Sequence, residues 1–434
     1  MIMAMMKSSN TEWLGDIPAE WDVAQIGNYY ELRNEKVSDY DFEPLSVTMK
    51  GIVPQLATAA KSDDHSNRKL VKKGDFVINS RSDRRGSCGI SPLDGSVSLI
   101  NIVMEPRGEM NPQYYNWLFH TELFADEFYK WGHGIVDDLW TTRWQEMKKI
   151  LIVAPSPDEQ QAIADYLDET CSKIDEIIAE AKASIDEYKE LKQSVIFEAV
   201  TKGLDKNVEM KAVNLEYLDS CPMDWNILPV SILFDFFGGF AYKSDRFCEE
   251  TNNQVVRLGN VKDDELRLNS NPVYVSDEYA DDSSKAAIKV DDILFTMTGT
   301  RGKGDYFYTL IITEDDLKEK NLFLNQRVGC FRKAYHTVYM PYYNYLLKNP
   351  KIRERVFLYE TGTANQGNIG IENINRIRLY NPPMEVQKNI VRMLNQKCNT
   401  IDSLITEKES LINDLEAYKK SLIYEVVTGK RRVV

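Results

Sequence analysis

The sequence predicts an α+β protein: two similar α/β domains joined by two long helices that pair as an antiparallel coiled coil, with a pseudo-two-fold internal repeat. Three observations predict this architecture. The chain repeats itself, both copies carry a heptad seam of apolar residues, and the stretches between the seams show short strand patterns bounded by glycine and proline.

The repeat comes first because it constrains everything else. Glu12-Trp13-Leu14, Ile17-Pro18 and Trp21 return at a constant offset of 204 as Glu216-Tyr217-Leu218, Cys221-Pro222 and Trp225. Further on, Gln160, Leu167, Cys171, Ile174-Asp175, Ile178, Ile185, Lys192 and Val200-Thr201 return 227 positions later. Their counterparts are Gln387, Leu394, Cys398, Ile401-Asp402, Ile405, Ile412, Lys419 and Val427-Thr428, with no gap in between. A duplicated unit of this size implies two copies of one device.

The elements follow in order. Residues 1–11 form an N-terminal tail, and residues 12–156 a first mixed domain. Within it, Asp75-Phe76-Val77-Ile78 and Ile150-Leu151-Ile152-Val153 read as strands, and Tyr114-Tyr115-Asn116-Trp117-Leu118-Phe119 as an amphipathic helix. Residues 157–202 read as one helix. Ser156-Pro157-Asp158-Glu159 offers an N-cap, a proline at N1 and a capping-box glutamate. Its seam runs through Leu167, Ile174, Ile178 and Ile185 in alternating steps of four and three, and it stops at Thr201-Lys202-Gly203. Residues 203–215 read as a polar linker.

Residues 216–383 repeat the first domain with insertions. Lys73-Gly74-Asp75-Phe76-Val77 answers Val290-Asp291-Asp292-Ile293-Leu294 at 217, and Tyr114-Tyr115-Asn116-Trp117-Leu118 answers Tyr342-Tyr343-Asn344-Tyr345-Leu346 at 228. Loops accept such insertions; a heptad helix does not. Residues 384–434 repeat the helical region. The seam passes through Leu394, Ile401, Ile405 and Ile412 with Lys408 interrupting it, and Pro383 and Val386 replace Ser156 and Glu159, so the capping box is lost. A seam of about forty residues is about 60 Å long and cannot bury its own apolar stripe. The second copy is its natural partner, returning antiparallel.

Composition bounds the function. With 43% hydrophobic and 11% aromatic residues, the 434-residue chain can build real cores. Six cysteines show no C-x-x-C pair, and the four histidines (His65, His120, His133, His336) do not cluster, so no metal site and no cofactor are expected. Met1 to Met6 is too short for a signal peptide and no apolar run approaches a membrane span, which predicts a reduced, soluble, cytoplasmic protein. The net charge of −14 speaks against nucleic-acid binding taken alone. Half of that excess, however, sits in residues 157–202, where twelve acids face five lysines.

Together these features resemble the specificity subunits of type I restriction–modification systems, over nearly the entire chain. The marks are Trp13-Leu14-Gly15-Asp16-Ile17-Pro18 with Trp21, Pro155-Ser156-Pro157-Asp158-Glu159-Gln160 opening a long helix, and the closures Glu198-Ala199-Val200-Thr201 and Glu425-Val426-Val427-Thr428-Gly429-Lys430. Val386 departs from the pattern, where glutamate is usual. The resemblance implies two target-recognition domains alternating with two helical conserved regions. Each domain would read one half of a bipartite double-stranded DNA site, and the paired helices would set the gap. Two methyltransferase subunits would dock on the helical regions, with restriction and translocation subunits joining outside them. The chain itself would carry no catalytic residue and would not meet a membrane.

Two pairs of loops have the chemistry for DNA. One pair follows a predicted strand in each half: Asn79-Ser80-Arg81-Ser82-Asp83-Arg84-Arg85-Gly86-Ser87 and Thr296-Met297-Thr298-Gly299-Thr300-Arg301-Gly302-Lys303-Gly304. Arginine can grip guanine O6 and N7 in bidentate fashion, Ser and Thr can hold phosphates, and glycine allows close backbone approach. The candidates are Ser80, Arg81, Ser82, Arg84, Arg85 and Ser87 in the first, and Thr298, Thr300, Arg301 and Lys303 in the second. A later pair runs from Trp131-Gly132-His133-Gly134 to Trp140-Thr141-Thr142-Arg143, and from Thr361 to Asn368. Arg143, Asn365 and Gln366 are the candidates there, since Asn and Gln can pair with adenine.

Other signals do not hold up. Asn381-Pro382-Pro383-Met384 resembles an adenine-methylase motif, but methionine replaces the stacking aromatic and the repeat aligns it with the helix entrance Ala154-Pro155-Ser156-Pro157. Gly299 to Lys303 lacks the P-loop spacing. Two rival readings remain: a recognition subunit serving a combined methylase–nuclease polypeptide, and a coiled-coil scaffold with two protein-binding domains and no DNA role, which the net charge of −14 keeps open.

Overall fold

The computed structural model describes residues 5–58, 65–134, 140–262, 265–363 and 365–433. Part of the N-terminal tail, the middle of the Trp131–Arg143 segment, Asp263-Asp264 and Ala364 lie outside the described residues. The chain divides into two compact units. Met1–Ala183 joins Glu407–Val434 in one, and Ser184–Thr406 makes the other.

The two units share a core sheet. In the first, four antiparallel strands run in the order Cys88–Ile90, Phe76–Asn79, Asn101–Pro106, Tyr30–Leu32. In the second the equivalent order is Thr309–Ile311, Ile293–Thr296, Val328–Lys333, Phe234–Gly238. Comparing the strand starts explains the drifting offset. It is 204 at Tyr30/Phe234, 217 at Phe76/Ile293, 221 at Cys88/Thr309 and 227 at Asn101/Val328. Each increment falls between core strands, where extra chain does not disturb the ladder. Two short helices follow in each unit, Pro112–Phe119 with Glu122–Lys130, and Met340–Leu347 with Pro350–Phe357. Proline enters at the first position of Pro112–Phe119 and Pro350–Phe357 and at the second of Met340–Leu347, where its missing N–H costs nothing.

The long helices are Pro157–Lys202 and Met384–Val427. The first is capped as its sequence predicts: Ser156 Oγ lies 3.1 Å from Glu159 Oε2, and the Glu159 amide points back to that hydroxyl at 3.4 Å. Within the first unit, Lys419 pairs with Asp175 at 2.6 Å and Lys182 with Glu416 at 3.6 Å. Within the second, Lys192 pairs with Asp402 at 2.7 Å. In the first unit one number rises as the other falls, so there the two helices run antiparallel. Leu167, Ile174, Ile178, Ile185, Leu394, Ile401 and Ile412 are buried, while Ile405 is only half-buried. Burial also pushes the Cys171 thiol up to about 11, so this seam cysteine stays protonated.

Each unit is completed by a distant piece of chain. Tyr114 donates its hydroxyl to the Val427 carbonyl at 2.7 Å, at the end of the second long helix. Tyr342, its counterpart, donates to Val200 at 2.9 Å, at the end of the first. The helix entrances repeat as well. Gln160 donates to the Pro155 carbonyl and accepts the Asn111 amide, both at 2.8 Å. Gln387 makes the same two bonds with Pro382 and Tyr339, so the missing capping box is bypassed by a buried amide that both copies keep. Asn381 is buried here and accepts from Tyr343 Oη at 2.8 Å, which ties up the side chain of the methylase-like tetrapeptide.

One expectation needs correction. The polar linker contains a strand, Met210–Leu215, paired with Leu218–Pro222, just as Met6–Ser8 in the tail pairs with Asp16–Pro18. Both are short edge strands, Met6–Ser8 exposed throughout and Met210–Leu215 alternating between exposed and half-buried, and neither shows a buried apolar pattern.

The two tyrosine bonds generate a stability prediction. Tyr114→Phe and Tyr342→Phe each leave a buried carbonyl without its donor, and each costs about 1–3 kcal/mol in urea unfolding. A second prediction concerns alkali. Burial holds the phenols of Tyr30, Tyr114, Tyr342 and Tyr343 above the ordinary value of 10.0. Above pH 10 the unfolded chain releases protons that the folded chain retains, so stability falls as pH rises past that point. Below it these groups add no slope, and melting temperatures measured from pH 7 to pH 11 check this.

Candidate nucleic-acid interface

The first candidate loop is the tip of the hairpin formed by Phe76–Asn79 and Cys88–Ile90, and a 3-10 turn at Ser82–Arg84 closes it. Its frame is internal: the Asn79 amide donates to the Ser87 carbonyl at 2.9 Å, and Tyr129 donates its hydroxyl to Asn79 and Arg84 carbonyls at 3.1 and 3.3 Å. Ser80 is buried and donates to the Ile100 carbonyl, and Ser87 is buried too. The Ser80 hydroxyl is taken up by that bond, and Ser87 frames the loop through its backbone, its amide donating to the Arg84 carbonyl at 3.0 Å.

The arginines face outward. Arg81 pairs with Asp83 at 3.0 Å, and Arg85 pairs with Asp126. The Arg84 side chain is 68% exposed, with only a distant approach to Asp83 at 3.8 Å. Surface pairs of this kind are weak, so a phosphate can displace the carboxylates.

The later loop lies against this hairpin. The Ser82 amide donates to the Trp140 carbonyl and the Thr142 amide to the Ser80 carbonyl, both at 3.0 Å. His133 pairs through its backbone with Thr141. Arg143 is exposed and follows Thr142, whose amide bonds to Ser80.

The second unit repeats the arrangement with other residues. Ile293–Thr296 and Thr309–Ile311 form the hairpin, and Thr298–Gly299 pairs with Gln366–Ile369, which pairs in turn with Glu360–Thr363. Thr298 is therefore a strand residue, 9% exposed. The Thr300 amide donates to Asp305 at 2.7 Å, and Arg301 donates to the Gly362 carbonyl at 3.2 Å. Lys303, Asn365 and Gln366 are exposed. Glu360 organises the tip: it accepts from Tyr306 Oη at 2.8 Å and from the Gly302 amide at 3.0 Å. A side chain at Gly367 would collide with Glu360, which explains that glycine.

Glu360, Tyr306 and Tyr129 are the residues that sequence reasoning misses. No local pattern announces them, since each acts on a segment far away in the chain. One signal recurs in both units. Ser82 Oγ and Thr298 Oγ1 are buried at the base of their loops with no hydrogen-bond partner among the described residues. Such orphans are costly and mark places where a ligand or water completes the site.

Comparison with known proteins agrees with this geometry. Residues 222–414 match the family model described as the type I restriction modification DNA specificity domain. The chain is thus similar to the specificity subunits of type I restriction–modification systems. The type I restriction enzyme MjaVIII specificity subunit of Methanocaldococcus jannaschii is 23% identical over 449 residues, covering 100% of this chain and 98% of that protein. A chain from a solved type I restriction–modification system, determined to describe complex assembly and conformational transition, superposes with a TM-score of 0.72 at 13% identity, covering 96% of this chain and 99% of its own. The HsdS subunit from Thermoanaerobacter tengcongensis gives 0.55 at 15% identity, with 96% and 98% coverage. At these identities the solved structures speak for the fold of this chain. Among its described residues no cluster of His, Cys, Asp or Glu could hold a metal, and no helix is long and apolar enough to cross a membrane.

Replacing Arg84 and Arg85 together with alanine tests the first interface. Folding stability should stay within about 0.5 kcal/mol, because both side chains are at the surface. DNA affinity of the assembled complex should drop at least tenfold (about 1–3 kcal/mol per lost base contact). Unchanged affinity would remove this loop from the interface.

Proposed function

We propose that this specificity subunit recognises a bipartite double-stranded DNA target, one half-site per domain, and that the paired helices set the spacer between them. The single observation that carries this reading is the recurrence of the two-loop interface, once in each unit, built on equivalent strands but presenting different side chains. Equivalent scaffolds with divergent tips are what two readers of different short sequences require. The acidic total is no obstacle, because much of it sits on the helices, away from the arginine-bearing tips.

The chain works without chemistry of its own and acts in the cytoplasm with methyltransferase subunits and, in a complete system, restriction subunits. Support for two methyltransferase subunits comes from a cleft that recurs in both units. In the second unit Ile196 and Phe197 face Pro350 and Phe357 across about 720 Å³. In the first, Ile423 and Tyr424, 227 positions on, face Glu122 and Leu123 across about 660 Å³. One partner surface fits both.

A matched pair of insertions tests the spacer. Seven residues added between Lys182 and Lys192, and seven between Asp402 and Glu416, preserve the heptad register. They should lengthen the helices by about 10 Å, or about three base pairs. Long-read methylation mapping in a host carrying the altered chain and its methyltransferase should show the same half-sites with a wider gap. The original spacing would refute the role given to the helices.

A further inference from the structure

The second domain is larger than the first, and the extra chain is not spread evenly. Between the first two core strands it has thirteen more residues than its counterpart, as the offset rises from 204 to 217. This extension forms its own small core around Tyr242, Val255, Val275 and Tyr279. It also makes one wall of an open cleft of about 430 Å³ that neither the repeat nor the loop motifs announce. The opposite wall is the turn Asn325-Gln326-Arg327.

Three features of this cleft stand out. First, among the described residues no Asp or Glu lines it, and Arg257 and Arg327 do. Second, it is rigid. The Asn325 amide donates to Val256 at 3.0 Å, the Gln326 amide to Phe240 at 2.9 Å and the Val328 amide to Asn325 at 2.8 Å. Buried Asn260 ties the other lip together, accepting the Arg257 amide at 2.8 Å and donating to the Arg267 and Ser270 carbonyls at 2.9 Å. Gly239 lies so close to Asn325 that a Cβ would fall 2.3 Å from its carbonyl oxygen. Third, Arg257 is only partly satisfied. It donates from Nη2 to the Asn271 carbonyl at 2.5 Å, yet its buried Nε has no partner among the described residues.

The cleft is also continuous with the interface already described. The Met297 amide donates to the Arg327 carbonyl at 3.0 Å, and Met297 leads directly into Thr298–Lys303. In the first domain the turn at this place, 227 positions earlier, is Ser98-Leu99-Ile100, with no cation and no amide side chain.

We infer that the cleft is a DNA-contacting element belonging to the second domain alone: exposed Gln326 and Arg327 meet base edges, and Arg257 receives a backbone phosphate. The residue types match the task. Arginine addresses guanine and glutamine addresses adenine through paired hydrogen bonds, and a fixed turn holds them without an ordering cost on binding. A partly satisfied guanidinium in a wall whose described lining holds no carboxylate supplies the phosphate site. This inference rests on the DNA-reading role proposed above and adds residues that the two loops do not contain.

The test uses the full chain assembled with its methyltransferase partner, with Gln326→Ala, Arg327→Ala and Arg257→Ala read by methylation mapping and by DNA affinity at several salt concentrations. Gln326→Ala and Arg327→Ala should each make one position of the second half-site degenerate, with discrimination falling about ten- to a hundredfold, while the first half-site is unchanged. Arg257→Ala should weaken binding to all sequences alike and lower the salt slope by about one. If Arg327→Ala fails to assemble, Arg327→Lys decides, since it keeps the charge and loses the fork; a lysine variant with the wild-type motif overturns the base-reading role. A wild-type complex that modifies no DNA would count against the DNA-reading role itself. A wild-type complex that modifies its site, with all three variants matching its motif and salt slope, overturns this inference alone. So does loss of assembly without a change of motif, which would make the cleft a protein contact.

Discussion

Neither half of this molecule is finished by a continuous stretch of chain. Each long helix has an apolar stripe that it cannot cover by itself, and each mixed domain is joined by the end of the distant helix. Tyr114 reaches Val427 and Tyr342 reaches Val200, across 313 and 142 positions of sequence. This mutual completion is the constraint on which the rest depends. It forces the helices to run antiparallel, and it ties each reading surface to both helices rather than to one.

Function follows from what this frame leaves free. The core strands, the helix entrances and the tyrosine bonds are duplicated, so under the proposed function they would not distinguish one half-site from the other. The hairpin tips and the loops beside them are free to differ, and they do: arginines in the first unit, a shorter cationic run with exposed amides in the second. The thirteen-residue extension of the second domain belongs to the same free territory. A subunit that must read two unlike sequences keeps its scaffold constant and varies its edges.

Much of this was readable in advance. Gln160 and Gln387, the leucine and isoleucine seam and the closing Val-Thr pairs lie in helices, where the period is regular and side-chain spacing translates directly into position. The drifting offset was readable too, although only the strand ladder shows where each insertion sits. The site was less accessible. Arg84 and Arg85 could be singled out because arginine and glycine cluster there, but Ser80 and Ser87 belong to the same string and turn inward. The string does not say which residues a hairpin tip exposes.

The sequence by itself determined that there are two copies, where their helices begin and end, and that the helices must find each other. Those properties depend on local periodicity and on the cost of an exposed apolar stripe, and both are written into neighbouring residues. Only the tertiary structure decided which loops meet, that Glu360 holds the second tip, and that Gln326 and Arg327 stand across from Arg257. These pairings join residues between 54 and 70 positions apart through single hydrogen bonds or a shared wall, and such contacts leave no period for a sequence to display.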